Sequence, residues 1–378
     1  MRIGIEAQRI FRKNKHGMDY VVLQEIKELQ QMDTENEYYV FVAPGEDRCL
    51  EDTKNFHIME IGGGFYPLWE QYTLPQKAKK LNLDILHCTS NTAPIRCGIP
   101  LILTLHDIIF LEPRDKSNKS LYQNLGWLYR RLVVPKILEK CRRIITVSEF
   151  EKDHIISTLG IQKEKMAMIY NGYNEWFKPL EDSYNVYQKY IDKPSYFFFL
   201  GNTDPKKNTE RTLIAYSIYL EKSDIKRKLL MADLDRLYLD DIITRNKIEP
   251  IRNMIVIPGY IVNSDLPYIY SNAFAFLYTS LRESFGIPLL EAMASGTPVI
   301  TSNTSSMPEI GGPDAILVNP ESPEEIAEMM LRLEKDDAFY REQEEMGIAR
   351  AKQFSWHRTA EQLLQLYEEV YKQINQTN

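Results

Sequence analysis

The chain has 378 residues, 44% of them hydrophobic and 26% charged, with a formal net charge of −7. That length is two domains at roughly 150 residues each. The composition is that of a folded chain rather than a disordered one. The negative charge excludes a uniformly basic nucleic-acid binder, and apolar runs such as 196–200 and 273–278 fall far short of the ~20 residues of a membrane span.

Met1 leads directly into a strand-like segment at 2–6 with no signal-peptide core, so a cytoplasmic protein is expected. A helix is expected at 20–29, with buried strands at 38–42, 84–87 and 101–105. A long helical stretch follows at 121–140, then a strand at 144–147, a helix at 149–158 and a strand at 166–170. Cys49, Cys88, Cys97 and Cys141 lie far apart, without a C-x-x-C. Reduced thiols are therefore expected, not a disulfide scaffold or zinc ribbon. Segment 171–194 breaks the rhythm with Asn171-Gly172, Pro179 and Pro194 and reads as an interdomain connection. The alternation then restarts. Strands are expected at 196–200, 229–231, 254–257, 274–277, 299–301 and 316–318, with helices at 209–220, 234–246, 265–271 and 288–295. From Pro323 onward the pattern is helical, broken near 354–355. Such alternation defines an α/β chain of two consecutive doubly wound, parallel-sheet units. Ligands of these units bind outside the carboxyl ends of the strands, so a cleft between the two is expected.

Three segments carry chemistry. In 282–298, Pro288 suits the first turn of a helix and Gly296 its end. The amides of Ser284, Phe285 and Gly286 then crowd at a helix N-terminus, an anion site. Glu283 and Glu291, beside that anion site, suit hydroxyl groups better than phosphate; helix-end carboxylates stabilised by the dipole are the alternative. In 200–208, Gly201 permits a tight turn and Asn208 a helix cap, and Lys206 and Lys207 form either a solvated basic turn or a diphosphate site. The glycines of a Walker A loop are missing there. At 103–107 a strand ends in His106, placing a polar side chain at the cleft edge of the first domain or a structural histidine there. No G-x-G-x-x-G follows the first strand, which counts against a nicotinamide dehydrogenase. Asp233 and Asp235 are either a metal-binding D-x-D or, for Asp233, a helix N-cap.

As an ensemble these residues resemble the GT-B glycosyltransferases of family 4, which retain anomeric configuration and use nucleotide sugars. The second half carries Gly201…Pro205-Lys-Lys-Asn208, Pro258-Gly259-Tyr260, Asp265-Leu266-Pro267, Glu283-x7-Glu291 and Met307-Pro-Glu-Ile310. The first half adds Gly17-Met-Asp-Tyr20, Leu105-His-Asp107, Val147-Ser-Glu-Phe150 and Asn171-Gly172. The resemblance implies two Rossmann-like domains facing across a cleft: residues 1–178, a linker at 179–194, and a donor-binding domain at 195–354, with helix 355–378 packing back on the first. It implies that Glu291 binds the ribose and that Glu283 faces the donor sugar. Lys206 and Lys207 would hold the diphosphate beside Ser284, Phe285 and Gly286. Gly17 would admit the phosphates, His106 would contact the sugar, and Tyr260 and Ile261 would cradle the base. Asn202 stands where an arginine is frequent, Gly17 where a glycine pair is frequent, and Ala232-Asp233 where a glycine is usual.

The expected function is transfer of a hexose from a nucleotide-diphosphate sugar to a glycan or lipid-linked acceptor in polysaccharide biosynthesis, with no cofactor or metal. The Pro-Lys-Lys-Asn variety leans toward mannosyltransferases using GDP-mannose. A GT-B-shaped nucleotide-sugar epimerase and an inactive sugar-binding scaffold are the alternatives. Nine Lys/Arg between 114 and 143, interleaved with Leu121, Tyr122, Leu125, Trp127, Leu128 and Leu132, read either as a core helix with a basic edge or as a peripheral contact with anionic lipid at the inner face of the cell membrane.

Overall fold

A computed structural model describes the chain except residues 63, 113–120, 182–184, 233 and 378 and the side chains of 121–123 and 377. The chain forms two compact units, Met1–Gly172 with Trp356–Asn378, and Tyr173–Ser355.

In the first unit the order is β1 (Arg2–Glu6), α1 (Gly17–Met32), β2 (Glu37–Val42), β3 (Phe56–Glu60), α2 (Tyr66–Leu68), a π-turn (Trp69–Thr73), α3 (Leu74–Lys80), β4 (Ile85–Cys88), β5 (Leu101–Thr104), α4 (Leu121–Leu138), β6 (Cys141–Thr146), α5 (Glu149–Leu159) and β7 (Met166–Met168). The seven strands form one sheet in the order β3-β2-β1-β4-β5-β6-β7, with every pairing parallel. β3 and the helical run 66–80 are absent from the sequence expectation. β3 is an edge strand whose Phe-His-Ile-Met-Glu run is only half-buried, so it lacks the continuous apolar run of a central parallel strand.

The second unit runs β8 (Tyr196–Phe199), α6 (Thr209–Lys222), β9 (Leu229–Met231), α7 (Arg236–Asn246), β10 (Ile255–Val256), α8 (Leu266–Asn272), β11 (Ala273–Tyr278), α9 (Ile287–Ala294), β12 (Val299–Ser302), α10 (Met307–Gly311), β13 (Ile316–Val318), α11 (Pro323–Lys335) and α12 (Asp337–Ala351). Its sheet order is β10-β9-β8-β11-β12-β13, again parallel. β8 is Tyr-Phe-Phe-Phe, buried throughout, as a strand covered on both faces must be. α11 and α12 are separated by Asp336, which caps α12 by accepting the Phe339 amide at 3.0 Å, a break the helical pattern had hidden.

The described residues of 173–194 pack into the second unit and are not a free connection. Phe177 and Ile191 are buried, the Leu180 amide donates to Ser271 Oγ at 3.2 Å, and the Tyr190 hydroxyl donates to Asp265 at 2.8 Å. α13 (Trp356–Thr377) lays Ala360, Leu363, Leu366, Tyr367 and Val370 into the first unit's core with Val22, Ile26 and Leu29 of α1. The four cysteines are free thiols.

In each sheet the order of strands reverses direction once, between β1 and β4 and between β8 and β11. In open parallel sheets the loops at the carboxyl ends of such pairs run to opposite sides, the place where ligands commonly bind. Gly17 follows β1, Lys206 and Lys207 follow β8 and Glu283 follows β11, whereas His106 follows β5 and Tyr260 and Ile261 follow β10.

Candidate functional site

In the second unit the Lys-Lys turn and the Glu283 loop are built against each other. Gly201, just after β8, lies on the ring of Phe199, where any Cβ would collide. Asp204 caps the 3-10 turn Pro205–Lys207 by accepting the Lys206 amide at 3.1 Å. Asn208 does not cap α6 with its side chain. Its backbone is left-handed (φ 58°), and its Nδ2 donates instead to Thr279 O at 3.0 Å and Pro320 O at 2.6 Å. This ties the lysine turn to the ends of β11 and β13. The Leu281 amide donates to Lys206 O at 2.7 Å, adding a second tie.

These ties place Lys207 Nζ 2.6 Å from Glu283 Oε1 and 5.4 Å from the centroid of the Tyr278 ring. The Glu283 loop is held from below by two serines. The Glu283 amide donates to Ser305 Oγ at 3.2 Å, and the Ser306 hydroxyl reaches Glu283 O at 3.0 Å and Phe285 O at 3.2 Å. Gly286 then takes φ +101° as the N-cap of α9, with Pro288 in the first turn. The opening amides of a helix have no intrahelical acceptor, so this turn presents donors and a positive dipole end.

Glu291 lies one turn inside α9. The residue keeps some exposed surface, yet burial pushes its carboxyl up to about 8. Tyr270 and Tyr278 are its electrostatic neighbours. The Tyr270 hydroxyl is buried and has no hydrogen-bond partner among the described residues. Tyr270, Tyr278, Ser305 and Ser306 are residues of this site that sequence reasoning missed. The serines belong to the run before Met307-Pro-Glu-Ile310, where a small polar pair preceding a short helix was the available signal.

The remaining second-unit candidates are more scattered. Asn202 is a loop organiser: its Oδ1 accepts the Asp204 amide at 2.8 Å and its carbonyl accepts Thr209 Oγ1 at 2.7 Å. Lys206 is half-exposed, its Nζ 4.0 Å from Asp204. Ser284 is half-buried and Phe285 buried. Tyr260 is 67% exposed whereas Ile261 is buried, so of these two the tyrosine presents the larger free surface. The N-cap of α7 is Asp235, accepting the Tyr238 amide at 2.9 Å, in place of the expected Asp233. Asp233 lies outside the described residues.

Gly17 and His106 belong to the first unit. Gly17 opens α1, and a Cβ there would meet open space. His106 follows β5 and is buried; its Nε2 donates to Thr89 O at 3.0 Å and its amide donates to Asn91 Oδ1 at 2.7 Å. Burial lowers its pKa. The ring is therefore neutral, with Nδ1 an acceptor, since the carbonyl partner fixes the proton on Nε2. On α4, Leu125, Leu128 and Leu132 are exposed at one-face spacing. Arg131, three residues after Leu128, and Lys136, four after Leu132, share that face, whereas half-buried Arg130 does not; the Arg131 guanidinium lies 4.5 Å from the Trp127 ring centroid. Arg114, Lys116 and Lys119, and the side chains of Leu121 and Tyr122, are outside the described residues. Among the described residues no helix is long and apolar enough to cross a membrane.

Two parallel-sheet α/β units, the second with lysines and paired glutamates around a helix N-terminus, define a GT-B glycosyltransferase. Residues 16–176 match the Glycosyltransferase Family 4 model and residues 187–354 the Glycosyl transferases group 1 model. The chain belongs to the family 4, group 1 glycosyltransferases. It is 29% identical to O-antigen chain mannosyltransferase B of Escherichia coli over 70% of this chain and 69% of that protein. It spans about 30% of the length of a serotype-specific mannosyltransferase it also matches. Its fold matches sucrose-phosphate synthase from Thermosynechococcus elongatus at TM-score 0.74 and 18% identity, covering 98% and 99% of the two chains. It also matches Anabaena HepE, solved with UDP and glucose, at TM-score 0.72 and 17% identity, covering 97% and 99%.

Proposed function

We propose that this glycosyltransferase transfers mannose, with retention of configuration, from GDP-mannose to a hydroxyl of a glycan or lipid-linked acceptor in polysaccharide assembly. The reading is carried by the Lys207–Glu283 contact beside the first turn of α9. A diphosphate entering here takes over Lys207, with Lys206 and the amides of Phe285 and Gly286 as further positive groups. Glu283, released from the lysine, turns to the sugar hydroxyls. Glu291 accepts the ribose hydroxyls, and His106 Nδ1 accepts a hydroxyl of the donor sugar. As the sugar–phosphate bond breaks, negative charge grows on the leaving phosphate, where the lysines and dipole stabilise it without a metal. The acceptor hydroxyl attacks from the same face, and a leaving phosphate oxygen takes its proton.

The mannosyl assignment rests on the O-antigen mannosyltransferase relative, and the nucleotide-sugar class on the neighbour solved with UDP and glucose. A basic, apolar α4 face suits an acceptor held at an anionic membrane. A thermal-shift panel of GDP, UDP, ADP and their sugars tests the donor. A ligand at 100 Kd adds about 2.7 kcal/mol to stability. A shift with UDP or ADP but none with GDP overturns the mannose assignment.

A further inference from the structure

Tyr278 closes β11 in the second unit and is 2% exposed. Its backbone is pinned in register with Thr301 of β12, whose hydroxyl donates to Tyr278 O at 3.0 Å. Its ring stacks on that of Phe276, two residues back on the same strand face, with centroids 5.5 Å apart. Phe276 packs as a plain phenyl ring, so stacking alone asks for no hydroxyl at 278.

Three members of the candidate site meet this one side chain. The ring receives Lys207 Nζ at 5.4 Å from its centroid. The ring edge lies against Gly286, where an added Cβ would stand 3.3 Å from Tyr278 Cε1. The phenol meets the Glu283 carboxylate. Burial, and after it the charge of Glu283 and a hydrogen bond to it, raise the Tyr278 pKa well above the usual tyrosine value. The hydroxyl therefore keeps its proton and is a fixed donor to Glu283.

These contacts bear on the moment when a diphosphate takes Lys207 from Glu283. The two side chains are only 19% and 14% exposed. A shielded carboxylate that loses its cation needs another donor, because a poorly solvated charge left unpaired is costly. The Tyr278 hydroxyl supplies that donor from its fixed place in the strand, and a phenol–carboxylate bond is of the charge-assisted kind. The ring meanwhile still attracts the ammonium of Lys207. We propose that Tyr278 is a positioning residue of the donor site: its hydroxyl holds Glu283 for the sugar once the diphosphate has taken Lys207, and its ring holds Lys207 and the Gly286 turn for the phosphates. This inference rests on the glycosyltransferase reading above but not on which nucleotide sugar is the donor.

The test separates hydroxyl from ring in the full chain. Tyr278→Phe, Tyr278→Leu, Glu283→Gln and the double variant Tyr278→Phe/Glu283→Gln are compared with wild type. Tyr216→Phe is the control for loss of a phenol alone, since the Tyr216 hydroxyl donates to the carbonyls of Arg227 and Met254 at 2.8 and 3.2 Å. Thermal unfolding confirms each fold. Calorimetry with GDP and UDP gives affinity. Release of nucleoside diphosphate from GDP-mannose and UDP-glucose, with water or methyl α-D-mannoside as acceptor, gives kcat. Tyr278→Phe is expected to bind nucleotide as wild type does and to lose kcat about tenfold or more, as for one charge-assisted hydrogen bond. Tyr278→Leu should in addition weaken nucleotide binding about threefold or more. In the Glu283→Gln background the phenylalanine should cost less than about threefold, because its partner is already changed. Tyr216→Phe should leave kcat intact. A folded Tyr278→Phe with wild-type kcat, or losses from Tyr278→Phe and Glu283→Gln that simply multiply, overturns the role of the hydroxyl. Wild-type nucleotide affinity in Tyr278→Leu overturns that of the ring. Turnover of UDP-glucose but not GDP-mannose refutes the mannose assignment, and the same cycle on UDP-glucose then decides Tyr278. Wild type that turns over neither donor refutes the glycosyltransferase reading and Tyr278 with it.

Discussion

Lys207 Nζ and Glu283 Oε1, 76 residues apart in sequence, meet at 2.6 Å with both side chains largely buried. The lysine that should meet the diphosphate is thus held by the glutamate that should meet the sugar. The pair keeps the lysine placed without leaving a buried charge unpaired, and on the proposed reading an incoming donor would exchange the carboxylate partner for its phosphates.

Lys207→Ala should lower turnover more than donor affinity, because the phosphate gains charge only as the sugar bond breaks. Glu283→Gln should keep nucleoside diphosphate binding and impair transfer. Steady-state rates beside calorimetry with GDP separate the two, and wild-type transfer should persist in excess EDTA. Loss of activity in EDTA restored by Mn²⁺ would place charge neutralisation on a metal instead of on Lys206 and Lys207.

Glu291 should report itself through protons. Its carboxyl, pushed up to about 8 by burial, is mostly protonated at pH 7, whereas ribose hydroxyls donate best to the carboxylate. Binding of GDP near pH 7 should therefore release protons, and affinity should improve as pH rises through 8. Calorimetry in two buffers of different ionisation enthalpy measures the release, which Glu291→Gln should abolish. Glu291→Ala should weaken binding by about 1.5–3 kcal/mol, the range of charge-assisted bonds. Normal GDP binding by Glu291→Ala would show that the carboxylate does not meet the nucleotide.

Gly286→Ala should damage the anion site without unfolding the unit. At φ +101° any side chain is strained, and the new Cβ would lie 2.7 Å from Met307 Cε. Strained backbone of this kind costs about 1–3 kcal/mol. The expected outcome is a lower Tm and weaker GDP binding, with Gly286→Ala/Met307→Ala recovering only the steric part. An alanine variant with wild-type Tm and affinity would mean that the loop does not need this conformation.

Glu25 on α1 is buried, and desolvation pushes its carboxyl up to about 8. The folded value lies above the unfolded one, so stability falls as pH climbs from about 4.5 to 8, at up to ~1.4 kcal/mol per pH unit. Glu25→Gln should be near-neutral at pH 5 and stabilising at pH 9 in denaturant titrations. An equal difference at both pH values would mean the carboxyl titrates normally.

Removing Arg130, Arg131, Arg142 and Arg143 together should weaken binding to liposomes containing anionic lipid, at about 1 kcal/mol per residue near the surface, and spare GDP binding. Arg142 and Arg143 lie on β6, so unchanged liposome binding by the folded quadruple variant would assign the basic residues of α4 and β6 together a purely structural role.

The central strands were legible because a parallel strand buried on both faces must be a short continuous apolar run, as in Tyr-Phe-Phe-Phe of β8. β3 was not, because an edge strand tolerates His57 and Glu60. Glu283 and Glu291 were legible because a loop, a proline in the first helical turn and a glycine at the end fix their spacing locally. The tie of the lysine turn through Asn208 was not, because its acceptors at Thr279 and Pro320 lie 71 and 112 residues along the chain and meet it only in the folded unit.

The first unit is assembled from two stretches of chain, 1–172 and 356–378, with the whole second unit between them. During synthesis the face formed by Val22, Ile26 and Leu29 emerges early and has no cover until α13 leaves the ribosome. At about 5–20 residues per second, that interval is on the order of tens of seconds. For that time the nascent first half carries an open apolar groove and depends on chaperones or on transient packing, whereas the second unit, continuous in sequence, can finish folding first. A first-unit fragment for expression should therefore carry α13 grafted after Gly172, since residues 1–172 alone end without the helix that closes their core.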